Sequence, residues 1–280
     1  MNKGLVVTFG NQKGGTGKTT SSTMIAYELS NMGYKVLLCD NDPQANATTL
    51  YLRTKANSSE DVVNFNKTLM TAISDGDLQP IVTNIKENLY LLPSFSDFMY
   101  YPNFLEKKFK TENERMRYFS ELLIPLKQDY DFIFIDVPPT ISVITNSALF
   151  ASDYVCIVSQ THERSLNGAE VFTNHLRELV MEKGANLDTV GVLPVLLKNN
   201  SNIDKVILKN TIEMFGEEHV FKNVIKHMER IKRFDMTGIK NDDMHDASVH
   251  KVFTAVAKEF LERIEREESL KRQTLIEGWF

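Results

Sequence analysis

Short, unbroken apolar runs punctuate the chain, and the stretches between them carry apolar residues at helical spacing. Leu5-Val6-Val7-Thr8-Phe9, Lys35-Val36-Leu37-Leu38-Cys39, Leu89-Tyr90-Leu91-Leu92-Pro93-Ser94, Asp131-Phe132-Ile133-Phe134-Ile135-Asp136, Tyr154-Val155-Cys156-Ile157-Val158 and Val190-Gly191-Val192-Leu193-Pro194-Val195-Leu196 have the length of strands. Runs with little polar alternation suit strands buried on both faces, as in parallel sheets. Ile25, Leu29 and Met32 recur at helical spacing before a stop at Gly33, Leu69-Met70 and Ile73 give a short helix ending near Gly76, and a longer helix runs from about Ser165 through Met181. Val249, Val252, Phe253, Val256, Phe260 and Ile264 form an apolar stripe, which predicts a helix over 247–270 packed on the core, with a short tail over 271–280. The strand–helix alternation predicts an α/β fold with a single doubly wound, mostly parallel sheet flanked by helices, one domain over 1–280.

Residues 46–130 carry less pattern. Ser58-Ser59-Glu60-Asp61 reads as a loop, and the charge-mixed stretch from Glu106 to Arg117 reads as a solvated helix face. No internal repeat, low-complexity tract or interdomain linker is present. A net charge of −5 excludes a protein coated in positive charge, though not a local basic patch. Cys39 and Cys156 both lie in apolar runs and read as reduced core residues, since a disulfide scaffold or a metal site needs more of them. The histidines show no metal-ligand spacing, and His227, His245 and His250 read as surface residues. No secretory leader precedes the first strand and no apolar run approaches ~18 residues, so the setting reads as cytoplasmic.

The chemistry is concentrated directly after the first strand, in Gly10-Asn11-Gln12-Lys13-Gly14-Gly15-Thr16-Gly17-Lys18-Thr19-Thr20. Strand, glycine-rich turn and helix is the context a phosphate-binding loop requires. Glycines let successive backbone N–H groups turn inward as an anion nest, and the helix N-terminus adds positive partial charge. Residues 13–20 are therefore the candidate nucleotide cradle: Lys13, Gly14, Gly15, Thr16, Gly17, Lys18, Thr19 and Thr20. Lys18 can reach the outer phosphates, and the Thr19 hydroxyl is a ligand for Mg²⁺. A glycine turn that binds nothing is the plain alternative, and Gly-Lys-Thr behind a strand argues against it.

The general phosphate-loop pattern wants glycine at position 12, where this chain has Gln12, and it carries instead a second lysine, Lys13, five residues before Lys18. That form resembles the deviant loop of the ParA/MinD family of ATPases. The resemblance implies a P-loop NTPase-like fold, ATP and Mg²⁺ as ligands, and a role for Lys13 in reaching the ATP of a second subunit. Asp40-Asn41-Asp42-Pro43-Gln44, at the end of the second run, matches the family's second motif. By that match Asp42 positions the attacking water and Asp40 supports the metal shell. Carboxylates there also sit beside the crevice where doubly wound sheets bind ligands. Asp136 ends a buried run before Val137-Pro138-Pro139 and is the expected Mg²⁺-supporting acid of a phosphate-loop ATPase, so the catalytic set is Lys13, Lys18 and Asp42 and the metal set Thr19, Asp40 and Asp136. In relatives the loop after the last strand helps hold the adenine, which points to 197–200.

Between 222 and 233 the charge balance reverses: Lys222, Lys226, Arg230, Lys232 and Arg233 face only one acid, Glu229. On a helix, Lys222, Lys226, Arg230 and Arg233 would share one stripe. A solvated face explains that as well as a site does, and the family resemblance favours sequence-independent contact with DNA phosphates. The resemblance reaches from Val6 to about Ile264, with three specific motifs in the first half and a looser match beyond. It implies a DNA-segregation ATPase of the short form, without an N-terminal helix-turn-helix, which makes autoregulation of its own operon by this chain unexpected. Such a protein dimerises on ATP, binds DNA non-specifically, associates with the nucleoid when ATP-bound, and hydrolyses ATP when a ParB-type centromere-binding partner stimulates it. One rival is a MinD-like membrane-positioning ATPase. From Lys258 to Arg272 five basic residues meet five acidic ones, whereas a membrane-docking helix should be cationic on its polar face. A nitrogenase-iron-protein-like reductase lacks the cysteines to share a cluster. A nucleotide-gated DNA scaffold with little turnover would need neither Asp42 nor Lys13. The terminal Trp279-Phe280 has no role that the sequence assigns.

Overall fold

The computed structural model describes residues 4–57, 65–196, 198 and 201–277; the loop expected at 58–61, all but Lys198 of the base pocket, and Trp279-Phe280 lie outside them. In chain order the elements are β1 (Leu5–Gly10), α1 (Lys18–Asn31), β2 (Val36–Asp40), α2 (Asn46–Ala56), α3 (Leu69–Asp75), β3 (Thr83–Lys86), β4 (Leu89–Leu92), α4 (Tyr101–Lys108), α5 (Glu112–Leu123), β5 (Phe132–Asp136), α6 (Val143–Ala151), β6 (Tyr154–Gln160), α7 (Glu163–Lys183), β7 (Asp188–Val195), α8 (Asn202–Phe215), α9 (Glu229–Thr237) and α10 (Met244–Glu277). One sheet has the order β3-β4-β2-β5-β1-β6-β7, parallel throughout except where β3 pairs antiparallel with β4. This is the doubly wound arrangement the alternation predicts. β3 was not legible, because Thr83-Asn84-Ile85-Lys86 is a short polar edge strand; it turns back through Asn88 at φ 61°, which asparagine tolerates.

Side chains alternate strictly across the central strand. Leu5, Val7 and Phe9 face a core closed by α1, α2, α9 and α10, while Val6 faces one closed by α3 to α6. The stripe on α10 is spent on the first core: Val249, Phe253, Val256, Phe260 and Ile264 are all buried, and the Phe260 ring meets Phe134 at 5.4 Å and Phe132 at 5.7 Å. That helix runs past 270 to Glu277. Cys39 and Cys156 are buried and unbridged.

Two expectations are corrected. The charge-mixed stretch 106–117 is two helices, not one face. Phe109 leaves helical geometry after α4, and Thr111 with Glu114 forms a capping box that starts α5. His250 is buried rather than on the surface. Its Nδ1 lies 2.5 Å from Glu28 Oε1 on α1, and Nε2 donates to the Lys240 carbonyl at 2.8 Å. Its partners are 222 and 10 residues away, beyond the reach of a local reading.

Candidate active site

β1 is a central strand, so the turn that follows it opens at the carboxyl edge of the sheet, where the crevice of a doubly wound fold lies. Gly15 (φ 74°) and Gly17 (φ 92°) take left-handed backbone that a side chain resists, and Gly17 caps α1. No side chain caps that helix and no acid sits in its first turn, so its leading N–H groups remain available to an anion. Three other helices do spend theirs on a side chain: Thr68 caps α3, Thr111 caps α5 and Ser201 caps α8. Lys18 is buried at the helix start with Nζ 3.2 Å from the Lys13 carbonyl. Burial lowers its pKa, and the charges of Asp136 and Asp42 work the other way.

The acids converge beneath the loop. Asp40 and Asp136 are register partners on the neighbouring strands β2 and β5, and both are buried. Thr19 Oγ1 donates to Asp136 Oδ2 at 2.7 Å, and Ser22 Oγ lies 3.4 Å from Oδ1. Desolvation, followed by the repulsion of Asp40, pushes the Asp136 carboxyl up to about 8. Desolvation also pushes Asp40 up to about 6, against hydrogen bonds from Thr48 and Asp42. A cation placed beside these two buried acids would favour their charged forms. Among the described residues no cage of three or more His, Cys, Asp or Glu exists. Mg²⁺ does not require one, because phosphate oxygens and waters complete its shell; a threonine hydroxyl against a carboxylate is a fitting protein share.

Asp40 itself is committed to the loop. Its Oδ2 accepts from Thr48 N at 2.8 Å and Thr48 Oγ1 at 2.7 Å, and its Oδ1 accepts from Asp42 N at 3.2 Å. It therefore fixes the turn that carries Asp42 and the start of α2. Asp42 is half-buried, and its Oδ1 accepts from Gln44 N at 2.9 Å. Gly15, Thr16, Gly17, Lys18, Thr19, Thr20 and Asp42 all line one cavity of about 640 Å³. Its far wall was not anticipated: Thr49, Leu50 and Arg53 on α2, and Ile231, Phe234 and Asp235 on α9. Thr48 and Ser22 were missed as well. Ser22, three residues after Thr19, could have been found from helical spacing alone.

Lys13 and Gly14 do not line that cavity, and Lys13 is exposed. The basic stripe also fails to form as a helix, because the chain from 222 to 228 is irregular and α9 starts only at Glu229. Lys222, Lys226, Lys232 and Arg233 are exposed. Arg230 is not available in the same way: its guanidinium pairs with Asp243 and Asp246 at 2.5 Å each, and Asp246 is fully buried. Those acids lie 13 and 16 residues on, and their attraction outcompetes solvent for Arg230; Lys232 pairs with Glu229 at 3.0 Å but at the open surface.

A family profile described as an AAA domain matches residues 4–190. The chain is 31% identical over 229 residues to the sporulation initiation inhibitor protein Soj of Bacillus subtilis, covering 81% of this chain and 86% of that protein. It is 25% identical over 240 residues to the chromosome-partitioning ATPase Soj of Treponema pallidum, covering 84% and 88%. Among solved structures, a variant of Cyanothece McdA in complex with ATP superposes with a TM-score of 0.77 at 21% identity, covering 94% of this chain and 98% of that one, a likeness of fold.

Proposed function

The chain belongs to the ParA-type partition ATPases of that AAA-domain family, and on that premise we propose that it segregates DNA by an ATP-gated cycle between monomer and dimer. Lys18 meets the β- and γ-phosphates, and the free N–H groups of α1 and the glycine loop hold the remaining oxygens. Thr19 and Asp136 hold Mg²⁺, which when bound offsets charge on the phosphates. Asp40 contributes by its charge and by fixing the Asp42 turn. Asp42 orients the water for in-line attack, and the loop and α1 dipole stabilise charge as the terminal phosphoryl leaves. The Lys13 side chain serves the ATP of a second copy. Lys222, Lys226 and Arg233 contact DNA phosphates without reading sequence, and Lys232 lies beside them paired with Glu229 at 3.0 Å. A ParB-type protein that binds the centromere accelerates turnover.

The observation that carries this reading is that Lys13 is exposed and does not line the cavity that Gly15 to Thr20 and Asp42 share, which leaves its ammonium outside its own chain's cavity. The membrane rival loses the stripe it would dock by, since Val249, Phe253, Val256, Phe260 and Ile264 on α10 are used in the core. Turnover measured alone, with two unrelated DNA duplexes and with anionic vesicles separates the readings. ATP-dependent binding to both duplexes is expected. Stimulation by vesicles and not by DNA would reverse the choice.

A further inference from the structure

We infer that the N-terminal turns of α7 form a seat that positions Lys13, with Asn11 and Gly168 as its two positioning residues. This inference rests on the reading of Lys13 just given. Asn11 follows β1 and is buried. Its Nδ2 donates to the Val158 carbonyl on β6 at 2.9 Å and lies 3.3 Å from the Ser165 carbonyl on α7, while its Oδ1 accepts from the Lys13 backbone N at 2.8 Å. Only one orientation of the amide satisfies all three partners, because the carbonyls need a donor and the N–H needs an acceptor. The turn of α7 beneath it is itself fastened, with Ser165 Oγ accepting from Gln160 N at 2.9 Å.

Gly168 supplies the second, independent observation. It lies inside α7 and is not among the residues with positive φ, so its backbone does not require glycine. Glycine there weakens the helix relative to alanine. What does require it is closeness: a Cβ would stand 2.8 Å from Asn11 Oδ1 and 3.1 Å from Lys13 Cβ. α7 is thus pressed against the lysine's main chain.

The seat matters most once nucleotide binds. Here the Lys13 carbonyl also accepts from Lys18 Nζ, at 3.2 Å. When phosphates claim that ammonium, the carbonyl loses its partner, and the Asn11–α7 contact remains as the tether. A fixed backbone under an exposed side chain lets Lys13 reach outward from a defined base, which reduces the conformational freedom lost when a second subunit's phosphate is met.

The test is a mutant cycle. ATP affinity, turnover at saturating ATP across protein concentration, and thermal melting are measured for Lys13→Ala, Gly168→Ala, and Gly168→Ala combined with Lys13→Ala. Asn11→Ala, which cuts the tether without adding volume, gives a second route should Gly168→Ala not fold. Gly168→Ala and Asn11→Ala should each lower turnover on the order of tenfold. ATP affinity of Gly168→Ala should stay within about twofold, a split a general packing defect would not produce. On the Lys13→Ala background, Gly168→Ala should add nothing to the loss of turnover. Additive losses, or normal turnover in both seat variants while Lys13→Ala is impaired, would overturn the seat. Wild-type behaviour of Lys13→Ala itself would instead remove the reading of Lys13 on which the seat depends.

Discussion

The phosphate loop and the basic segment were both read from short strings of residues, and the fold treats them very differently. In the loop, sequence spacing is geometry. Gly15 and Gly17 take left-handed backbone, α1 starts at Lys18, and Thr19 then meets Asp136. In the segment 222–233, the same kind of spacing argument assumed a helix that begins only at Glu229. Arg230 there is drawn off by Asp243 and Asp246, while Lys222, Lys226 and Arg233 remain exposed. The difference is one of range. Local strings fix turns and helix starts, because backbone sterics act within a few residues. The fate of a surface cation depends on which acids the tertiary fold brings near, and that is not written in the string.

The comparison can be pressed from the loop side first. Lys18→Ala should weaken ATP binding about 100-fold or more, since charge-assisted hydrogen bonds of about 1.5–3 kcal/mol each are lost. Isothermal titration reads this directly, and near-wild-type affinity would take Lys18 out of the site. Asp42→Ala should keep ATP and Mg²⁺ binding yet slow turnover on the order of 100-fold, about 3 kcal/mol of barrier. Unchanged turnover would move the water-orienting role off Asp42.

From the segment side, three phosphate-contacting cations per subunit, or about six per dimer, give a log affinity against log salt slope near −5. Replacing Lys226 and Arg233 by alanine should flatten that slope to about −2 and weaken two unrelated duplexes alike. Arg230→Ala is the contrasting variant. It should lower the melting temperature, because the buried Asp246 loses its partner, and leave the salt slope nearly unchanged. A slope that responds to Arg230 and not to Lys226 with Arg233 would reverse the assignment.

A further test concerns pH. The Asp136 and Asp40 carboxyls sit above their ordinary values in the folded chain, at about 8 and about 6. The folded state therefore holds protons that the unfolded chain releases. Stability is fully present below the ordinary carboxyl range and is lost as pH rises through these folded values, by at most about 1.4 kcal/mol per pH unit for each proton. His250, raised by its bonds to Glu28 and the Lys240 carbonyl against the effect of burial, acts with the same sign above its ordinary value. Melting temperature should fall from pH 6 toward 8.5, and Asp136→Asn should remove part of that slope but not the share due to His250. An equally steep fall in Asp136→Asn would place the titration elsewhere.

Most of the sheet and the near half of the site were legible in the sequence. The buried runs ended within about two residues of the strand ends, and the acids at 40, 42 and 136 stood at or just past those ends. The far wall of the cavity on α2 and α9 was not legible. Leu50 and Phe234 look like any core residue until the chain brings α2 and α9 together, as the bond from Arg53 to the Asp235 carbonyl, 182 residues away, does. The capping box at Thr111 could have been read, and it would have divided the charged stretch correctly. His250 could not, because a lone histidine at helical spacing carries no sign of its partner on α1.

The central claim is that the phosphate site is built within one chain and its lysine signature serves another. Light scattering with and without ATP and Mg²⁺, on wild type and on Lys13→Ala shown by titration to bind ATP, tests it most directly. The account predicts that ATP doubles the wild-type mass and leaves the variant a monomer. A variant that binds ATP, doubles in mass and turns over at the wild-type rate would contradict it.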